Sequence, residues 1–301
     1  MTSTVNNLSK NQLWRAAIKL PLYSVAIIPV WVGTAVAVAE TGVINLVNFS
    51  VFLVSVIFIQ IWINLGNDVF DDDTGVDINK FHSVVKLTGE KSAIFWLSNL
   101  FLFLGILATS LIAWWQEDFT LIILVSLGCF LGYSYQGPPF RFSYQGIGEI
   151  ICFIAYGPLL VSTAYYAQVP TWSIVNLAAS VVIGLATSLI LFCAHFHQVE
   201  DDLAGGKYSP VARLGTAKSA KILPWWTLFT YTLIGLGIMF KLFPIGTILS
   251  LFSGIYAIRL CQHVSKYHGQ PELVSNCKFI AVTMYFLLGL LLGLGFILPS
   301  F

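Results

Sequence analysis

Apolar residues run along this chain in blocks long enough to cross a bilayer, and polar residues punctuate them at regular intervals. A hydrocarbon core of about 30 Å needs about 20 helical residues at about 1.5 Å rise each. Charge-free stretches of that size occupy Leu20–Ala39, Thr41–Asn67, Ser92–Gln116 and Phe119–Phe140. The stretch Ile150–Val199 is too long for one crossing, and Gln168-Val169-Pro170-Thr171 supplies a turn that divides it in two. Ile222–Phe240, Leu242–Ile258 and Phe279–Phe301 follow, the first two parted by Lys241 and Pro244. The pattern predicts an all-α, polytopic membrane bundle of about nine transmembrane helices.

Composition agrees. Of the 301 residues 57% are hydrophobic and 10% charged, and the mean hydropathy is +0.83. Soluble domains carry about 25% charged residues, so lipid must be the main solvent of this surface. A net charge of +1 with no basic run points away from nucleic acid. The five cysteines are scattered, mostly within apolar runs and without metal-ligand spacing, and read as small apolar residues. Residues 1–16 form a polar segment without the apolar core and small-residue cleavage site of a signal peptide, and the whole of 1–301 reads as one domain.

Charge sets the orientation. With the N-terminus inside, alternate loops collect every basic residue except Lys241 on the cytoplasmic face. Nine crossings then put the C-terminus on the opposite side. Glu40, Glu117 and Asp118 fall in short outer loops, whereas most acids share the inner face with the bases. Chemistry is expected at the cytoplasmic end of the bundle.

Three constellations gather there. In Asn64-Leu65-Gly66-Asn67-Asp68-Val69-Phe70-Asp71, continuing to Asp77, the residues Asn64, Asn67, Asp68 and Asp71 fall on one helix face. Carboxylates so close repel unless a hard divalent cation joins them. A solvated acidic loop is the plainer reading, but the asparagines stand at the end of a span, where polar groups are costly. The second is His195-Phe196-His197-Gln198-Val199-Glu200-Asp201-Asp202, followed by Gly205-Gly206-Lys207 and Arg213. Here Gln198 and Asp202 share a stripe, and the glycine turn offers N–H groups and an ammonium to phosphate oxygens. The two histidines, two residues apart, make a poor metal pair and suit packing or hydrogen bonding better. The third is Tyr133-Ser134-Tyr135-Gln136-Gly137-Pro138-Pro139-Phe140-Arg141, leading to Gly146-Ile147-Gly148-Glu149. It reads equally well as a turn in an aromatic belt or as Arg141 facing an anion beside a tyrosine-lined cavity. Acids, bases and rings at one end of an apolar bundle suit a diphosphate head carrying an isoprenoid tail.

Asn67-Asp68-x-x-Asp71 after the second span, a second acidic motif after the sixth, and nine spans resemble the UbiA superfamily of membrane prenyltransferases. The run Asn64 to Asp77, Gly146-Ile147-Gly148-Glu149 with Tyr156-Gly157-Pro158-Leu159, and Gly206-Lys207 with Val211-Ala212-Arg213-Leu214-Gly215 resemble its MenA branch, which prenylates 1,4-dihydroxy-2-naphthoate. The wording His195 to Asp202 and Tyr135-Gln136-Gly137-Pro138-Pro139-Phe140-Arg141 is similar to phytyl-transferring members of photosynthetic lineages. Gln198 stands where many superfamily members carry the first Asp of the second motif.

The resemblance implies Mg2+ held by Asp68, Asp71 and Asp77, and a second ion held by Asp202 with Glu200 or Asp201. It implies a diphosphate bound by Asn64, Asn67, Lys86, Arg141, Lys207 and Arg213. Catalysis would then rest on Asp68, Asp71, Asp202 and Tyr133, the last stabilising an allylic cation. Substrates would be phytyl diphosphate and 1,4-dihydroxy-2-naphthoate, joined with loss of the ring carboxylate to give demethylphylloquinone, in surrounding membrane lipid and with no obligate protein partner. A longer-chain transferase of menaquinone synthesis is the near alternative. A divalent-cation transporter is a remote one, because it would need ionisable groups at mid-membrane and the spans here are almost uncharged there.

Overall fold

The computed structural model describes Leu13, Trp14, Ala17, residues 20–74 and residues 83–298. Most of the polar N-terminal segment, and Asp77, lie outside these residues.

The described residues are helical, with no strand among them. The long apolar segments are α1 (Pro21–Thr41), α2 (Leu46–Thr74), α3 (Lys91–Gln116), α4 (Thr120–Gln136), α5 (Gly148–Gln168), α6 (Ile174–His197), α7 (Thr216–Met239), α8 (Ile245–Tyr267) and α9 (Pro271–Ile297). Eight are long and apolar enough to cross a membrane; α4, at 17 residues, stands at the short limit. Gly137-Pro138-Pro139 stops α4 before Phe140, because Gly137 is extended and a proline cannot continue the hydrogen-bond ladder. Charge, by contrast, stops no helix once the chain has left the apolar layer. Thus α2 continues through the acidic motif to Thr74, α7 begins at Thr216 with Lys218 and Lys221 exposed, and α8 runs on to Tyr267.

Two clusters of buried side chains hold the bundle. One joins Phe52, Val56 and Trp62 of α2 with Ile112 of α3 and Leu121 and Val125 of α4. The other joins α6 to α9 around Leu189, Leu223, Leu260 and Tyr285. Helices α1 and α5 contribute to both, through Ala26, Val30 and Ala164 on one side and Ile28, Val32 and Val161 on the other. Helix α9 packs across α1, which closes the arrangement. Backbones approach closely where α5 meets α6: a Cβ on Gly157 would stand 2.5 Å from Gly184 Cα and 2.7 Å from the Ser180 carbonyl oxygen. Small residues permit such contact between membrane helices, where dispersion forces replace the hydrophobic effect. The lipid-facing surface carries exposed Trp96, Trp114, Trp115, Phe119 and Trp172 near helix ends, the positions of interfacial aromatic belts.

The helix ends remote from the acidic motifs are tied together. Tyr165 donates to Glu40 at 2.6 Å and Ser173 donates to the same carboxylate at 2.7 Å. Tyr166 bonds Asp118, and Gln168 accepts from the Asn45 backbone at 2.9 Å. The Tyr166 hydroxyl, followed by the Thr120 backbone, holds the Asp118 carboxyl below its usual range.

Candidate active site

The first acidic motif lies on the last two turns of α2, and helical geometry sorts its residues by direction. Asp68 and Asp71 are buried, while Asp72 and Asp73 turn outward to Lys91, whose Nζ is 3.3 Å from Asp72 Oδ2. Asp68 Oδ2 accepts from the Val84 backbone N–H at 2.9 Å, so the short helix Val84–Thr88 starts on this carboxylate. Lys86 lies exposed on that short helix. One to two turns earlier in α2, Tyr156 donates to Gln60 Oε1 at 2.8 Å, and Gln60 donates to Asn64 Oδ1 at 3.2 Å. Asn64 Nδ2 is buried without a hydrogen-bond partner among the described residues, and Asn67 is half-buried.

Beyond α4 the chain turns sharply. Arg141 takes the left-handed conformation at φ 45°, a costly geometry for a non-glycine residue. Its guanidinium stands 5.9 Å from the centre of the Tyr144 ring, and its Nε is buried without a hydrogen-bond partner among the described residues. Tyr144 donates to Asp71 Oδ1 at 3.3 Å and shares a 2.6 Å hydrogen bond with Thr74. Burial pushes the Tyr144 phenol up, which keeps its proton in place for donation. Tyr133 packs edge-on against Phe70 at 5.7 Å and donates to the Pro138 carbonyl at 2.6 Å. Tyr135 sits differently, within the electrostatic reach of Asp71, Glu149 and Asp202 together.

The second motif leaves α6 through a 3-10 turn over His195–His197 and re-forms as the helix Val199–Ala204. Of its acids only Asp202 is buried; Glu200 is exposed and Asp201 is half-buried. Both border a groove of about 160 Å3 that also includes His197 and His268. His195 Nδ1 lies 3.0 Å from Asp202 Oδ2, and its Nε2 lies 3.6 Å from Glu149 Oε1. Lys207, also buried, places Nζ 3.7 Å from Asp202 Oδ1. Burial opposes the Asp202 charge, but the His195 hydrogen bond and the Lys207 charge outweigh it and hold the carboxyl below its usual range. Gln198 is half-buried, and its carbonyl accepts from the Asp202 N–H at 2.7 Å.

A clip joins the two loops. Arg213 donates from Nε to the Tyr208 carbonyl at 3.0 Å and from Nη2 to the Gln145 carbonyl at 2.7 Å. The Tyr208 N–H donates to the Tyr144 carbonyl at 2.9 Å. Arg213 thus acts on backbone oxygens here, where sequence alone pointed it at phosphate. Gly146 sits beneath this clip at φ 76°.

Among the described residues no group of three or more His, Cys, Asp or Glu side chains is arranged to hold a metal ion. Magnesium seldom uses such an all-protein cage; it keeps waters and takes one or two carboxylates plus substrate phosphates. Buried Asp68, Asp71 and Asp202, with the Arg141 guanidinium beside the Tyr144 ring that bonds Asp71, fit that chemistry. The larger cavity, of about 370 Å3 between Leu124, Pro158 and Trp172, shares no residue with this cluster.

Sequence reasoning missed Glu149 and His195 as partners and singled out Tyr133 above Tyr135. The available signal was Glu149 itself, a lone acid opening a long apolar stretch directly after Ile147-Gly148.

The fold and the buried carboxylates of the two acidic motifs define a polytopic membrane protein with a cluster of charged side chains beyond its apolar helices. The UbiA prenyltransferase family model matches residues 26–287, and the chain belongs to this family of membrane prenyltransferases. It is 48% identical to the 2-carboxy-1,4-naphthoquinone phytyltransferase of Synechocystis sp., over 95% of this chain and 93% of that protein. It is 39% identical to the chloroplastic 2-carboxy-1,4-naphthoquinone phytyltransferase of Arabidopsis thaliana, over 95% of this chain and 77% of that protein. The 1,4-dihydroxy-2-naphthoate octaprenyltransferase of Bacillus subtilis is 24% identical over 65% and 64%. A UbiA homolog from Archaeoglobus fulgidus, solved bound to DMAPP and Mg2+, shares the fold with a TM-score of 0.60 at 14% identity, over 93% of this chain and 98% of that one.

Proposed function

We propose that this enzyme transfers a phytyl group from phytyl diphosphate to 1,4-dihydroxy-2-naphthoate, with release of diphosphate and of the ring carboxylate as CO2, to give demethylphylloquinol, the reduced form of demethylphylloquinone. The observation that carries the reading is the near-full-length likeness to two phytyltransferases, at 48% and 39% identity. The octaprenyltransferase is more distant, at 24% over a shorter span, which favours phytyl over a longer tail.

In this reading Asp68, Asp71 and Asp77 on one side, and Asp202 with Glu200 or Asp201 on the other, hold Mg2+ against the donor diphosphate. Bound Mg2+ supplies positive charge to the oxygens of the leaving group. Asn64, Asn67, Lys86, Arg141 and Lys207 bind and orient those oxygens, and Arg213 serves them indirectly by holding the two loops. Tyr144 and His195 keep Asp71 and Asp202 pointed inward. Tyr133 offers a ring to the allylic cation as the C–O bond breaks, and the apolar bundle excludes water that would quench it. The electron-rich naphthoate ring then attacks. The N-terminus and the site face the cytoplasm, as the distribution of lysine and arginine supports.

Purified protein in lipid nanodiscs, given 1,4-dihydroxy-2-naphthoate, Mg2+ and prenyl diphosphates of several lengths, tests this by product mass. Demethylphylloquinol, read as the quinone after oxidation by air, formed fastest from phytyl diphosphate and lost on adding EDTA, is expected. Preference for a longer donor would move the enzyme to menaquinone synthesis, and no product with any donor would refute the assignment.

A further inference from the structure

Glu149 opens α5 in the inner half of the bundle and is only 7% exposed. Neither of its side-chain oxygens accepts a hydrogen bond among the described residues. A carboxylate offers about four lone-pair sites, and burying it unserved is costly. His195 flanks it, with Nε2 3.6 Å from Oε1, but His195 Nδ1 is already engaged with Asp202. A neutral imidazole that donates to Asp202 turns a lone pair toward Glu149; only a doubly protonated ring serves both. In neither case does His195 fill the accepting capacity of Oε2, which no other described residue serves with a donor.

The surroundings define what is missing. Tyr144, five residues before Glu149, bonds Asp71 of the first acidic motif, and His195, which flanks Glu149, bonds Asp202 of the second. Glu149 therefore lies close to both motifs assigned above to the donor diphosphate. Lys207 beside Asp202 and Arg141 beside Tyr144 already offer a diphosphate cations to meet, whereas Glu149 would repel it. What suits a buried, acceptor-only group is a neutral O–H donor. The aromatic substrate assigned above carries two of these on the ring that is attacked.

We infer that Glu149 is the acceptor-binding residue, whose carboxylate takes a hydrogen bond from a ring hydroxyl of the aromatic substrate. The inference rests on the phytyl-transfer reading. Such a bond fixes the ring's orientation. It also draws the hydroxyl proton outward, which raises electron density on the ring carbons as the new C–C bond forms. Charge-assisted bonds of this kind are about twice as strong as neutral ones.

The test is steady-state kinetics of Glu149→Gln in nanodiscs, varying phytyl diphosphate, Mg2+ and three acceptors: 1,4-dihydroxy-2-naphthoate and its two mono-O-methyl ethers. The expected result is a fall of about tenfold or more in kcat/KM for the dihydroxy acceptor. The phytyl diphosphate KM and the Mg2+ dependence should stay within about twofold of wild type. The wild-type penalty for methylating one of the hydroxyls should shrink in the variant by a similar factor. Glu149→Asp, which retracts the carboxylate by one methylene, carries the same comparison should the Gln variant fail to fold. An unchanged acceptor kcat/KM would overturn the inference, and so would equal losses in the donor, Mg2+ and acceptor parameters, which would tie Glu149 to the His195–Asp202 side. A wild-type protein that transfers nothing to the naphthoate would instead overturn the function itself, an outcome read before any variant is made.

Discussion

Gly146→Ala isolates the clip that joins the two inner loops. Gly146 has φ 76° and ψ 18°, a left-handed conformation that costs a residue with a Cβ roughly 1 kcal/mol. The new Cβ would stand 2.5 Å from the Tyr208 carbonyl oxygen and 3.0 Å from Arg213 Nε, the two atoms that bond each other at 3.0 Å. Relief of that overlap must lengthen the Arg213 bond, and exposed Arg213 makes such a bond worth about 1–2 kcal/mol, discounted for solvent. The docked arrangement of the loops should therefore lose about 2–3 kcal/mol, a factor of roughly 30 to 150 in their opening equilibrium. Hydrogen exchange read by mass spectrometry on the wild-type and variant proteins measures this directly. Protection in segments 141–148 and 205–213 should drop by that factor while the core of α6 stays unchanged. Turnover should fall as well, because Arg141 and Tyr144 reach the site through the first of these loops. Unaltered protection in both segments would refute the reasoning, since it would mean that the clip does not hold the loops.

Three further outcomes are expected. Asp71→Ala should lower phytyl transfer by roughly 100-fold or more while the protein still elutes as a monodisperse species, because the variant removes a group assigned to the metal and leaves the bundle core intact; near-normal turnover would dismiss the metal assignment. Gly157→Ala should cost about 1–3 kcal/mol by overpacking against Gly184, visible as a lower melting temperature in detergent; a variant that melts with the wild type would show that α5 and α6 do not meet there. Tyr166→Phe removes the leading cause that depresses the Asp118 carboxyl. A depressed carboxyl adds stability above its unfolded pKa of about 3.9, and that contribution is lost as pH falls through the lower folded value. The gap in melting temperature between wild type and Tyr166→Phe should thus be full near neutral pH and close below about pH 4; a gap that persists into stronger acid would count against the bond.

Local signals and tertiary ones were not equally legible in the chain. Helix count followed from the length of apolar runs, because each run faces lipid or core and few charges interrupt it. Helix ends were harder: Lys218, Lys221 and Arg259 look like boundaries in a hydropathy pattern, yet each lies within a helix that projects into water. The inward pair Asp68 and Asp71 was visible from three-residue spacing on α2. In the second motif, spacing could not say which of three consecutive acids faces inward, because the turn at His195–His197 resets the helical phase. The link from Glu149 through His195 to Asp202 spans 53 positions of sequence and exists only once α5 and α6 are packed. Tyr133 and Tyr135, two residues apart on α4, point to different neighbours, and choosing between them required knowing which helix lies on each side.

Within α5 the backbone widens into a single π turn over Ala155–Leu159, around Pro158. A proline ring would press on the carbonyl four residues earlier in a regular helix, and the wider turn makes room for it. The extra residue also sets the angular phase between the two ends of α5. At one end stands Glu149, against His195; at the other stand Tyr165 and Tyr166, bonded to Glu40 and Asp118. Deleting one residue from this turn would rotate one end against the other by about 100°, turning either Glu149 into the packed wall or the two tyrosines out of their sockets. Sequence drift in this helix is therefore confined to substitution, and its length behaves as a fixed dimension of the molecule.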